Sequence, residues 1–104
     1  MDMQFARSNQ FALKNGKVDE FKRLMTTEIL PLLKNEKGFR QTVTVLDKNA
    51  GMSITLWDDR TCAENYNTKT YPEVLKKLGP VLEGTPTIHT YETVFTLTPE
   101  VIHA

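Results

Sequence analysis

The chain has 104 residues, 13 Lys and Arg against 13 Asp and Glu, and 39% apolar residues, the composition of one globular domain rather than of a disordered or fibrous chain. No segment collects one sign of charge, so nothing marks a surface that would release counterions from a nucleic acid, and no run of about 18 apolar residues marks a membrane span. The opening Met-Asp-Met-Gln has no basic stretch followed by an apolar one, and the expectation is a cytoplasmic protein with neither nucleic-acid nor membrane partner.

Residues 3 to 13 alternate, with Phe5, Arg7, Asn9, Phe11 and Leu13 on one side and Gln4, Ala6, Ser8, Gln10 and Ala12 on the other, which predicts a strand with both faces partly covered. Asn15-Gly16 breaks that pattern. From Val18, the apolar residues Phe21, Leu24, Met25, Ile29, Leu32 and Leu33 recur at the spacing of one helical stripe. Pro31 lies inside this stripe and should bend the last turn, because it removes the bond to residue 27; residues 35 to 38 supply the stop.

Residues 39 to 47 and 52 to 57 predict two strands, joined by Lys48-Asn49-Ala50-Gly51 as an antiparallel hairpin. Asp58 or Asp59 can cap a short second helix, since a carboxylate there accepts from the free amides of the first turn. Cys62, the single cysteine, has no CxxC neighbour and is expected to be a small apolar residue of that helix. Tyr71-Pro72-Glu73 begins a further helix with proline at a position where its missing N–H is harmless, and Gly79-Pro80 ends it. Residues 87 to 97, rich in β-branched and aromatic side chains, predict a long last strand.

The order strand, helix, hairpin, helical segment, strand predicts an α+β, ferredoxin-like domain over residues 1 to 104: a four-stranded antiparallel sheet with its helices on one face. The other face is then bare. Made of Ala, Thr, Ser, Val and aromatic positions, it should be covered by a second copy, giving a homodimer through sheet faces.

The segments FALKNGKVDEF, ILPLLKNEKGF and LEGTPTIHTYE, with the strand ending in Trp57 before an acidic pair, resemble the antibiotic biosynthesis monooxygenase-like domains. The resemblance spans about residues 3 to 97 and lies in order and spacing rather than in one motif. It implies a dimeric α/β barrel with a ligand pocket between sheet and helices. Similar proteins include cofactor-free monooxygenases of polyphenols or quinols, haem-degrading enzymes, and members without known activity. Function therefore rests on the site residues.

The resemblance places Asn9 where the haem-degrading members carry a pocket asparagine, whose amide can donate to a bound oxygen species. Tyr66 falls where they carry a tryptophan against the macrocycle, and Lys76 where they carry the axial histidine. A charged ammonium has no lone pair for iron, and neither His89 nor His103 lies on that helix, so no haem and no other cofactor is expected.

A cofactor-free oxygenase needs a dry pocket, a group that keeps a phenol or quinol ionised, and donors for the reduced oxygen species. Asn9, His89 and Tyr66 are the catalytic candidates. His89 is the only side chain in the expected strands that ordinarily titrates near neutrality. Arg7, Phe21, Leu24, Met25, Trp57 and Tyr71 are the candidate substrate contacts, although the helix stripe, Trp57 and Tyr71 serve equally as core. No histidine, cysteine or carboxylate cluster has metal-site spacing, and no GxSxG elbow or phosphate-binding glycine loop occurs. The sequence thus leaves two readings open: a cofactor-independent monooxygenase of a small aromatic or quinol, or a barrel that binds such a molecule, or only packs upon itself, without turnover.

Overall fold

The computed structural model describes residues 4–93 and 95–97. The strands are β1 (Phe5–Ala12), β2 (Phe39–Asp47), β3 (Ala50–Trp57) and β4 (Thr87–Glu92), and the helices are α1 (Val18–Leu24), α2 (Leu30–Lys34), α3 (Arg60–Asn65) and α4 (Tyr71–Leu78). The sheet order is β2-β3-β1-β4, with every neighbouring pair antiparallel. This is the expected α+β, ferredoxin-like arrangement. β4 is shorter than expected and ends at Glu92; Val94, which the predicted strand included, lies outside the described residues, and Phe95 and Leu97 are exposed.

Alternation sorts the two faces. Phe5, Arg7, Thr55 and Trp57 point towards the helices and are buried, and the core is completed by Phe21, Ile29, Leu33, Tyr66, Tyr71, Val74 and Leu78 from the helical side. The outward face carries Val43, Val45, Ile54 and Tyr91, with Val43 51% and Tyr91 53% exposed. The hairpin between β2 and β3 is tighter than its sequence suggested. Asp47 pairs with Ala50, so the turn is Lys48-Asn49 alone, with Lys48 in the left-handed region at φ 58. Gly51 is part of β3 and leaves the space that the Phe11 ring fills; a Cβ there would lie 2.4 Å from Phe11 Cζ.

Both helical arms share a device that periodicity did not reveal. A π-type turn spans Met25–Ile29 between α1 and α2, and another spans Tyr66–Thr70 between α3 and α4. Each is closed by a bond five residues long, Leu30 N–H to the Met25 carbonyl and Tyr71 N–H to the Tyr66 carbonyl, and each directly precedes an X-Pro step. Proline lacks an N–H, and its ring clashes with the carbonyl four residues earlier, so a widened turn relieves both problems. Threonine hydroxyls satisfy the neighbouring carbonyls: Thr26 donates to Lys22 O at 2.7 Å, Thr27 to Arg23 O at 2.8 Å and Thr68 to Glu64 O at 3.0 Å. The second helical region is therefore one arm over residues 60 to 78 rather than two separate helices. Asp59 caps it, accepting from Cys62 N–H at 2.9 Å.

Candidate active site

The π-type turn decides where two tyrosines point. In a regular α-helix, residues five apart diverge by about 140° around the axis. The widened turn brings Tyr66 and Tyr71 onto one side instead, with ring centroids 6.1 Å apart and both side chains buried against the sheet. Facing them from β1, one of the two strands with neighbours on both edges, are Arg7 and Asn9, two residues apart on the same face.

Arg7 is 2% exposed and lies over both rings, its guanidinium carbon 4.1 Å from the Tyr71 centroid and 5.2 Å from that of Tyr66. One of its terminal nitrogens donates to Asn67 Oδ1 at 2.9 Å, whereas its Nε has no partner. Among the described residues no carboxylate lies within salt-bridge distance of it. Burial lowers its pKa, the two tyrosines act in the opposite sense, and the arginine stays charged. Asn9 Nδ2 donates to the Tyr71 hydroxyl at 2.9 Å, leaving Asn9 Oδ1 buried without a partner. Thr42 Oγ1 is a third unpaired buried atom.

These side chains line a cavity between sheet and helices, walled otherwise by apolar groups such as Phe11, Phe21, Met25 and Val74. Its free space, mouth included, is about 540 Å³, of which only about 40 Å³ is wide enough to take the centre of a water molecule. A space of this size suits a ligand of about one aromatic ring.

Most of the candidate residues meet here. Arg7, Asn9, Tyr66, Tyr71, Phe21 and Met25 line the cavity. Trp57 does not: it is fully buried behind Tyr66, with ring centroids 5.0 Å apart, and its Nε1 donates to Thr55 Oγ1 at 2.8 Å. Leu24 is half-buried at the edge of the core and also lies off the cavity. His89 stands on the other side of the sheet. It pairs with Ser8 across from β1, one residue out of phase with Asn9 and Ile88, and its ring lies 6.1 Å from that of the outward Tyr91. Lys76 is exposed on α4 and offers the cavity no ligand for iron. No group of three or more metal-ligating side chains occurs among the described residues. Thr42, Ser53, Thr55 and Asn67 were not anticipated; the first three share the helix-facing parity of Trp57 and Leu46 on their strands.

Neither tyrosine serves as a base at neutral pH. Burial raises both, Tyr66 from 10.0 to about 12, against the opposing pull of Arg7. The consequence for stability has a definite sign. Because the folded-state pKa of Tyr66 is raised, its contribution is intact below pH 10 and is lost as pH climbs towards 12. The loss amounts to about 2–3 kcal/mol. Urea unfolding followed across that window should show a smaller decline in Tyr66→Phe, which has nothing to ionise at that site; an unchanged decline would place the alkaline sensitivity elsewhere.

No protein-family profile matches the chain, and no curated protein matches it. Solved structures do. A protein of unknown function from Nitrosomonas europaea superposes with a TM-score of 0.78 at 15% identity, covering 94% of this chain and 96% of its own. SnoaB, a cofactor-independent oxygenase from Streptomyces nogalater, gives 0.75 at 16% identity, over 96% of this chain and 100% of its own. A Caulobacter crescentus protein named for antibiotic biosynthesis monooxygenases gives 0.75 at 14% identity, over 90% and 92%. At these identities the likeness concerns the backbone, so what it shows is that this chain has the antibiotic biosynthesis monooxygenase-like fold.

Proposed function

We propose that this protein is a cofactor-independent monooxygenase of a small phenol or quinol held between sheet and helices, working in the cytoplasm as a homodimer. The observation that carries this reading is Arg7 with Asn9 and Tyr71 in a cavity whose walls are mostly apolar. A buried cation over aromatic faces holds an ionised substrate oxygen out of water, and an ionised phenol or quinol is the form that gives an electron to oxygen readily. The balance needs no outside reductant. A hydroquinone and O2 give a hydroxyquinone and water: one oxygen atom bonds to a ring carbon, the other leaves as water, and the quinol supplies all four electrons. Similarity to SnoaB, itself a cofactor-independent oxygenase, supports the reading.

The open sheet face supports the dimer. Val43, Val45, Ile54 and Tyr91 form an apolar surface that an identical face would cover about a two-fold axis, and the exposed Phe95 and Leu97 lie just beyond β4. Light scattering should give twice the chain mass, and Ile54→Glu should bring it to one chain, because two like charges would then be buried in contact. A wild-type monomer would exclude the dimer.

A second reading, binding without turnover, is favoured by one observation: His89 faces away from the cavity, and Tyr66 is held protonated to about 12, so neither of these candidates can take the substrate's proton there near neutrality. Oxygen consumption with a panel of quinols and phenols separates the two. Uptake above the uncatalysed rate that falls at least tenfold in Asn9→Ala supports the enzyme. Thermal stabilisation by the same compounds without uptake supports the binding protein.

A further inference from the structure

The fold places a permanent cation in its interior and, among the described residues, gives it no anion. Taking a guanidinium out of water costs several kcal/mol unless a partner offsets it, and buried arginines are ordinarily paired with carboxylates. Here the partners are the side chains of Tyr66 and Tyr71, and a neutral amide oxygen. Glu36, the acidic residue that acts on Tyr66, accepts from the Thr70 hydroxyl and forms no ion pair with Arg7. Three buried polar atoms of cavity-lining side chains remain unmatched: Arg7 Nε–H, a charged donor; Asn9 Oδ1, an acceptor; and Thr42 Oγ1, which can be either. Water alone can satisfy the last two, but it does not neutralise the first.

We infer that the cavity selects its occupant by charge: it takes a planar single-ring monoanion, whose carboxylate or ionised hydroxyl is the counter-ion that Arg7 lacks. The inference deepens the proposal that this cavity holds a small aromatic molecule and rests on it. A neutral ring would displace water from around Arg7 and give nothing in return, so the cost of the bare charge would rise on binding. An anion reverses that balance, because its oxygen forms a charge-assisted bond with Nε–H in a site walled from solvent. A hydroxyl carried elsewhere on the same ring could donate to Asn9 Oδ1 and add orientation. Neither requires a reaction.

Benzoate and benzamide test the inference, since they share shape and differ in charge. Binding near neutral pH can be followed by titration calorimetry and by the shift in melting temperature. Benzoate is expected to bind about ten- to a hundred-fold more tightly than benzamide, the range given by one charge-assisted hydrogen bond. Arg7→Gln, which keeps a donor but removes the charge, should reduce that ratio to near unity while benzamide binding stays within a few-fold. Arg7→Lys, which keeps the charge, should retain part of the preference. Equal affinity of the two probes, or a preference that survives in Arg7→Gln, overturns charge selection and leaves the aromatic cavity standing. If neither probe binds, the cavity does not accept a ring, and both readings fall together.

Discussion

Arg7→Met should produce a protein that melts at a higher temperature and no longer distinguishes benzoate from benzamide. Gain and loss have one origin. Arg7 is 2% exposed and has no carboxylate partner among the described residues, so the folded state bears its desolvation without a Coulombic return. Methionine has similar length and no charge, can fill the space between sheet and helices, and keeps a favourable sulfur contact with the Tyr71 face. The bond lost to Asn67 costs little, because Asn67 is exposed and its carbonyl can turn to water. Replacing buried ionic groups by apolar ones of like volume is neutral to stabilising; about 1–2 kcal/mol is expected here, since the two aromatic contacts offset part of the gain. For a domain of this size each kcal/mol moves the melting temperature by about 4–8 °C. A fall of several degrees instead would make Arg7 a structural element whose ring contacts outweigh its desolvation, and the cavity would lose its claim to an anionic ligand.

The elements were legible because each obeys a local rule. Alternation from Phe5 to Leu13 gave β1, a 3.6-residue stripe gave the first helical arm, and Asp59 at the start of the second accepts from the amide that a cap should satisfy. The π-type turns were not legible by periodicity, since one longer bond shifts the phase by a single residue and leaves the apolar stripe on either side intact. A local signal did exist: threonine four or five residues ahead of an X-Pro step occurs in both arms, at Thr26 and Thr27 before Pro31 and at Thr68 before Pro72. The side of His89 could also have been read. Ile88 is the apolar neighbour that must face the helices, so the residue after it must face away. What no pattern carries is the isolation of Arg7. A chain with 13 basic and 13 acidic residues has enough carboxylates to pair every cation, and only the packing of β1 against the two tyrosines shows which cation is buried without one.

Trp57→Ala should remove most of the stability that keeps the domain folded. The indole is 0% exposed and ends β3, with Phe39 edge-on at 5.6 Å and Tyr66 tilted against it at 5.0 Å. Truncating a fully buried aromatic costs about 3–5 kcal/mol through lost transfer energy and the cavity left behind. The loss of the Nε1 bond to Thr55 Oγ1 adds to this, and domains of this size hold only about 5–15 kcal/mol in total. Far-UV circular dichroism through a urea titration is the appropriate measure, because the substitution removes the single tryptophan and its fluorescence. The more informative partner is Trp57→Phe, which keeps a ring against Tyr66 and gives up the second ring and the hydrogen bond. It should fold, with a midpoint well above that of the alanine variant. Because Trp57 packs behind Tyr66 and supports its seat, benzoate should bind this variant more weakly, and because Arg7 is untouched, its preference over benzamide should persist. A variant that lost the preference as well would show that the charge recognition depends on the exact seat of Tyr66 and not on the guanidinium alone.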